Sequence, residues 1–157
     1  MAIHVALFEP VIPANTGNIA RTCAGTGVKL HLIKPMGFST EDKMLKRAGL
    51  DYWSSVDLTY HEGIRDLFAA YPDAVFYFVT KFGKQPYSDF DYSNESIDIF
   101  FVFGKETTGL PEDVLAENEE RCLRIPMNDN IRALNLSNTA AILIYEALRQ
   151  QSFLELS

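Results

Sequence analysis

Three stretches of this chain carry residue types that could do chemistry. The first is Glu9-Pro10-Val11-Ile12-Pro13-Ala14-Asn15-Thr16-Gly17-Asn18-Ile19-Ala20-Arg21. Its two prolines force an extended lead-in, and Asn15 is of the type that caps a helix. Asn15, Asn18 and Arg21 recur at i, i+3 and i+6, which sets two amides and a guanidinium on roughly one helical face. The second, Phe103-Gly104-Lys105-Glu106-Thr107-Thr108-Gly109-Leu110-Pro111, runs from an apolar strand into a glycine-bounded polar turn ahead of an acidic helix. Such a turn can cradle a ligand. The third joins Arg124-Ile125-Pro126-Met127 through a polar loop to Leu134-Asn135-Leu136-Ser137-Asn138. Proline ends its strand, and an amide, a hydroxyl and a second amide gather at the mouth of the last helix. Taken singly, each stretch has a plain structural account: a cap with a surface arginine, a turn needing glycine, and ordinary capping residues.

The missing motifs narrow the chemistry. Lys105 sits too early for a phosphate loop, and neither a Gly-x-Gly-x-x-Gly run nor a Gly-x-Ser-x-Gly elbow occurs. His4, His31 and His61 are scattered, with no ligand partner at metal spacing, and His4 alternates within a strand as a structural residue would. The chemistry expected is that of a bound cofactor aided by amides, hydroxyls and arginine, with no metal.

The elements that must position these groups alternate along the chain. Strands are expected over 3–8, 30–33, 56–60, 75–80, 97–103 and 122–125. Helices are expected over 15–25, 43–50, 63–70, 112–118 and 135–151. The strand runs, such as Val75-Phe76-Tyr77-Phe78-Val79 and Ile99-Phe100-Phe101-Val102-Phe103, are nearly all apolar, as befits strands buried on both faces of a parallel sheet. The last helix shows the clearest stripe, with Leu136, Ala140, Leu143, Ile144, Ala147 and Leu148 on one side. The expected architecture is α/β, an open and mostly parallel sheet with helices on both faces, in one domain spanning residues 1–157. In such folds ligands sit at the carboxyl ends of the strands, where all three stretches fall.

Composition sets outer limits. With 47% hydrophobic residues in 157, the chain can fill a core, which excludes disorder and a disulfide scaffold. No apolar run approaches the ~20 residues of a membrane helix, and the amino terminus does not read as a signal peptide. Cys23 and Cys122 are far apart with no CxxC partner, so a reducing cytoplasm is the expected setting. Fourteen basic against 21 acidic residues give a net charge of −7, the wrong sign for a general nucleic-acid coater. The distribution is uneven, however: between Arg21 and Arg47 lie six basic residues against only Glu41 and Asp42, whereas 112–120 holds five acids and no base. One basic face on an acidic body can still seat a phosphate backbone; ordinary solvated helix faces are the plainer account.

Together the three stretches resemble the three motifs of the SPOUT RNA methyltransferases, in the same order and spanning the chain. Pro35-Met36-Gly37-Phe38 and Lys46-Arg47-Ala48-Gly49-Leu50-Asp51-Tyr52-Trp53 further resemble the branch of short tRNA wobble-nucleotide 2′-O-methyltransferases. The resemblance implies a sheet whose carboxyl-terminal part is tied in a deep trefoil knot, an arrangement that general topology rules would exclude. It implies S-adenosylmethionine as donor, S-adenosylhomocysteine as product, and donor contacts at Val79, Gly104, Ile125 and Ala133 with Leu134 and Ser137 nearby. Ala133 stands where many relatives have Ser, and Lys105 where many have Pro. It also implies a cytoplasmic homodimer in which Arg21 serves the partner's site, with the tRNA anticodon stem-loop as substrate and no membrane association.

Family accounts give the first-motif arginine the role of base toward the ribose 2′-hydroxyl. A guanidinium is effectively always protonated, so Arg21 is better assigned to the developing oxyanion or the adjacent phosphate. Asn18, Glu106, Ser137 and Asn138 would orient these groups. Lys46, Arg47, Arg132 and Arg149, with Asn15 on the polar face, are the candidates for RNA contact. The alternatives are a 2′-O-methyltransferase acting elsewhere on tRNA or on rRNA, and a knotted RNA-binding dimer without catalysis.

Overall fold

Apolar strands of this kind must be covered on both faces, and among the described residues two helices lie on each face. The computed structural model describes residues 2–39 and 53–157. The expected helix over 43–50, with Lys46 and Arg47, lies outside the described residues. In chain order the elements are β1 (Ile3–Phe8), α1 (Pro13–Thr26), β2 (Lys29–Ile33), β3 (Leu58–His61), α2 (Ile64–Ala70) and β4 (Val75–Val79). They continue with β5 (Gln85–Pro86), β6 (Ile99–Phe103), α3 (Glu112–Glu117), β7 (Cys122–Arg124) and α4 (Leu136–Gln150).

The seven strands run in the order β3-β2-β1-β6-β4-β7-β5, and every strand pairing among the described residues is parallel. The most apolar strand, β6, lies centrally, with Phe101 opposite Val5 on one side and Tyr77 on the other. One face packs Val5, Leu7, Leu30 and Phe101 under α1 and α4, through Ile19, Cys23, Leu143, Ile144 and Ala147. The opposite face packs Ala6, Phe76, Phe100 and Val102 with Ile64 and Leu67 of α2 and Val114 of α3. Truncating a fully buried member such as Leu143 to Ala would cost about 2–5 kcal/mol.

The six expected strands are present, with ends that differ by at most two residues. β5 was not expected: it has two residues, one of them proline, and no periodicity of its own. It matters because β7 returns between β4 and β5, the order of segments that a knotted carboxyl end requires. The passage is tight. Thr80 donates its backbone N–H to Leu123 O at 2.9 Å. A Cβ on Gly83 would fall 2.5 Å from the carbonyl carbon of Leu123, so only glycine lets this loop lie on β7.

One local expectation is corrected. Asn15 does not cap α1, because the helix begins two residues earlier, with Ile12 as the flanking residue and Pro13 in the first turn. Proline's fixed φ suits that position, and its missing N–H is not needed there. Asn15 is therefore inside the helix and buried.

Candidate active site

Loops from the carboxyl ends of β1, β4, β6 and β7 converge on one side of the sheet. The loop after β6 is closed by two backbone hydrogen bonds, Lys105 N–H to Gly109 O at 3.2 Å and Gly109 N–H to Lys105 O at 2.8 Å. Gly109 has φ +75°, a conformation that favours glycine. A Cβ on Gly104 would come within 2.4 Å of the Gly109 carbonyl carbon, so the turn cannot close with any other residue at 104.

Glu106 latches this turn to the first loop. Its Oε1 accepts the Val11 N–H at 3.1 Å and its Oε2 accepts the Ile12 N–H at 2.6 Å. A carboxylate at the start of α1, which has no side-chain cap of its own, also matches the helix dipole. Lys105 adds an ion pair to Glu9 at 3.1 Å. Of the groups expected to orient the reaction, Glu106 therefore acts on the backbone of the first loop.

The third stretch is organised by Asn135, the N-cap of α4. Its Oδ1 accepts from the backbone N–H groups of Ser137 at 2.9 Å and Asn138 at 3.4 Å, and from Ser137 Oγ at 2.5 Å. Its Nδ2 donates to Asn15 Oδ1 at 3.1 Å, tying α4 to α1. Asn15 thus stands behind the surface as a brace between the two helices, which removes it from the RNA-facing groups in this chain. This is the physical reason that Asn15 and Asn135 occur together: Asn135 satisfies the buried amide oxygen of Asn15.

The loops enclose a cavity of about 460 Å3, a volume typical of small-molecule sites. Val79, Gly104, Leu110, Ile125, Ala133 and Leu134 are among its walls. Five of the six expected donor contacts are therefore brought together; Ser137 is engaged in capping and does not line the cavity. None of the described hydrogen bonds engages the main chain of Ala133 or Leu134. An apolar box edged by such main-chain groups suits an adenosine bearing a thioether or sulfonium better than a phosphate chain. Arg132 lines this cavity and also an adjoining one of about 430 Å3, which it shares with Lys81 and Arg124.

Other expected residues lie apart from the cavity. Asn18 and Arg21 are exposed on α1 and are not among its lining. Asn138 is held by its backbone at the start of α4. Arg149 is at the far end of that helix, roughly 20 Å of helix away, and pairs with Glu146 at 2.8 Å. Sequence reasoning missed the loop after β4, where Thr80, Lys81 and Phe82 form part of the wall. The signal was present as Thr80-Lys81-Phe82-Gly83-Lys84, a basic and aromatic turn directly after an apolar strand.

The histidines form a second polar network away from the cavity. His4 Nε2 lies 3.1 Å from Asp98 Oδ1, His4 Nδ1 lies 2.9 Å from His31 Nε2, and His31 Nδ1 lies 2.9 Å from His61 Nε2. Burial, then the neighbouring His4 and His61, push the His31 pKa down to about 3. His4 is lowered by burial despite Asp98, and His61 is lowered by burial. Among the described residues no group of three or more His, Cys, Asp or Glu could hold a metal ion. No helix of the described residues is long and apolar enough to cross a membrane.

The parallel strand order, with β7 returning between β4 and β5 and a cavity at the carboxyl ends, defines a domain of the SPOUT methyltransferase class. Within that class the chain belongs to the SpoU rRNA methylase family, whose sequence profile matches residues 2–145. A Geobacillus stearothermophilus protein provisionally named tRNA (cytidine(34)-2′-O)-methyltransferase is 65% identical over 157 residues, covering 100% of both chains. The Escherichia coli K12 tRNA (cytidine(34)-2′-O)-methyltransferase is 44% identical over 153 residues, covering 96% of this chain and 95% of that one. A solved structure concerned with 2-OH methylation of C/U34 on tRNA superposes with a TM-score of 0.88 at 40% identity, covering 97% of each chain.

Proposed function

We propose that this protein transfers a methyl group from S-adenosylmethionine to the ribose 2′-hydroxyl of tRNA nucleotide 34, a cytidine or uridine. The carrying observation is the cavity that places Val79, Gly104, Ile125, Ala133 and Leu134 around one space. Relatives of near-equal length that carry this activity in their names support the substrate. Those five residues would hold the donor, which supplies an electrophilic methyl group when bound. A tRNA substrate places the reaction in the cytoplasm.

The protein's part is positioning, because methyl transfer is an in-line displacement and correct alignment supplies much of the rate. The Glu106 latch fixes the start of α1 against the cavity rim, and the Asn135–Asn15 pair fixes α1 against α4. α1 then carries Asn18 and Arg21 on a rigid, exposed surface. Arg21 stabilises negative charge growing on the 2′-oxygen or clamps the neighbouring phosphate, while water or that phosphate receives the proton. Because Arg21 does not line its own chain's cavity, its role requires a homodimer in which α1 of one copy faces the cavity of the other. Exposed Ile12 of the first loop and Tyr145 of α4 lie on this helical layer and suit such a contact. Arg132 at the mouth would hold an RNA phosphate.

The test is transfer of labelled methyl from S-adenosylmethionine to tRNA from a strain lacking this enzyme, followed by mapping of the label. Label at the 2′-oxygen of nucleotide 34 is expected. Label at another tRNA position, or in rRNA only, would overturn the assignment.

A further inference from the structure

The loop after β4 presents a feature that donor binding does not explain. Phe82 is 72% exposed, the most exposed of the large apolar side chains among the described residues. It nevertheless stands on a firmly held turn. Its N–H donates to Thr80 Oγ1 at 3.2 Å, and Gly83 N–H donates to Thr80 O at 3.1 Å. Gly83 lies on the Leu123 backbone, and its carbonyl accepts from Arg124 Nη1 at 3.1 Å. A turn backbone held this way loses little further freedom when a flat partner arrives at the ring it carries.

Its surroundings specify the partner's chemistry. The Lys81 ammonium lies 5.2 Å from the Phe82 ring centroid. Lys81 and Arg132 line both cavities, Arg124 lines the second, and Lys84 follows two positions after Phe82. On a chain of net charge −7, this concentration of cations around one exposed ring fits a base attached to phosphates. The adenine of the donor fits less well, because Phe82, although part of the wall of the larger cavity, keeps most of its surface open to solvent at the rim. A nucleotide whose ribose is at the cavity mouth has its own base within reach of that rim.

The geometry points to Phe82 as the stacking platform for the base of the target nucleotide, with Lys81 and Arg132 on the adjoining phosphates. This rests on the wobble-methylation reading and deepens it. Stacking engages the face of a base and ignores its edge, so one platform accepts cytosine and uracil alike. Phe82 is then a positioning residue that turns the ribose toward the donor.

The experiment compares wild type with Phe82→Ala, Phe82→Leu and Phe82→Tyr on anticodon stem-loops carrying C34, U34 or an abasic ribose at 34. Wild-type methylation at 34 is measured in the same assay, so failure of the underlying reading appears there and not in the variants. Phe82→Ala should raise KM for the C34 and U34 stem-loops about tenfold, with donor Kd moving by less than about threefold and the melting temperature unchanged. Phe82→Tyr should restore KM and Phe82→Leu should not. Wild type should bind the abasic stem-loop about tenfold more weakly, and Phe82→Ala should show no such difference. The proposal is overturned if Phe82→Leu matches wild type, if Phe82→Ala loses donor affinity as far as it raises KM for RNA, if it dissociates the dimer, or if the abasic penalty persists in it.

Discussion

The chain holds two polar networks, one mostly buried and one nearer the surface, that differ in how they end. The histidine chain crosses β1, β2 and β3 and closes at Asp98, where a carboxylate can only accept; each imidazole faces another group in the same chain. It contributes nothing to the cavity wall. The Glu106 and Asn135 networks instead use their side chains on the backbone at helix starts, and leave the main chain around Ala133 and Leu134 facing open space. A network that satisfies itself is structure. One that orders backbone around a cavity is a site, although both join polar residues far apart in sequence.

The largest effect should follow from Arg21, which stands exposed on α1. Arg21→Ala should lower methyl transfer by two or more orders of magnitude, the loss expected of an oxyanion stabiliser worth ~2.7–4 kcal/mol. Stability should change by less than about 0.5 kcal/mol, as for other exposed truncations. Single-turnover transfer and thermal melts check both. Near-normal transfer would remove Arg21 from the chemistry.

Asn135→Ala tests whether the site network also supports the fold. The change removes an N-cap and strands the buried Asn15 amide, so denaturant melts should show a loss of about 2–3 kcal/mol. Asn135→Asp keeps the acceptor for Ser137 and Asn138 but loses the donor to Asn15, and should recover only part of that loss. Equal stability of Asp and Asn at 135 would mean that the α1–α4 brace is idle.

Glu106→Gln sharpens the distinction at smaller magnitude. An amide nitrogen would then oppose one of the two N–H groups now accepted by the carboxylate. The start of α1 should loosen, and methyl transfer should fall by about tenfold because Arg21 is displaced. Donor affinity measured by calorimetry should stay within about twofold. If donor affinity falls as far as transfer does, Glu106 shapes the cavity and does not act through α1.

How much of this was legible in sequence follows from the range of each signal. The strands and the stripe of α4 were legible because periodicity is local, whereas the cavity walls Val79, Gly104, Ile125, Ala133 and Leu134 were expected only through the resemblance to the SPOUT motifs. The pairing of Asn15 with Asn135 was not, since 120 residues separate them and a lone Asn ahead of a helix reads as a cap. β5 was invisible because two residues carry no period. The histidines appeared scattered for the same reason as Asn15: parallel strands bring 4, 31 and 61 together through register, which a single sequence does not display. The structural reading of His4 nonetheless agrees with its burial and its place in a closed network.

The smallest effect should come from acid, and it locates the closed network. Asp98 can only accept, so His4 carries its proton on Nε2, His31 does likewise toward His4 Nδ1, and His61 toward His31 Nδ1. His4 and His31, whose Nδ1 atoms accept, are therefore neutral and of one tautomer, which nitrogen-15 spectra of the rings would show. The folded His31 takes a proton only near pH 3, whereas in the unfolded chain it does so near 6.5. Below 6.5 the unfolded state binds more protons, so stability present above that pH is lost progressively as pH falls toward 3. From pH 7 to 6 His31 alone accounts for less than about 1 kcal/mol, in a window where carboxylates do not yet titrate. His31→Gln can keep both hydrogen bonds without titrating, so its stability should vary less with pH between 7 and 5, whatever its absolute value. An unchanged slope in His31→Gln would place the acid sensitivity outside the histidine chain.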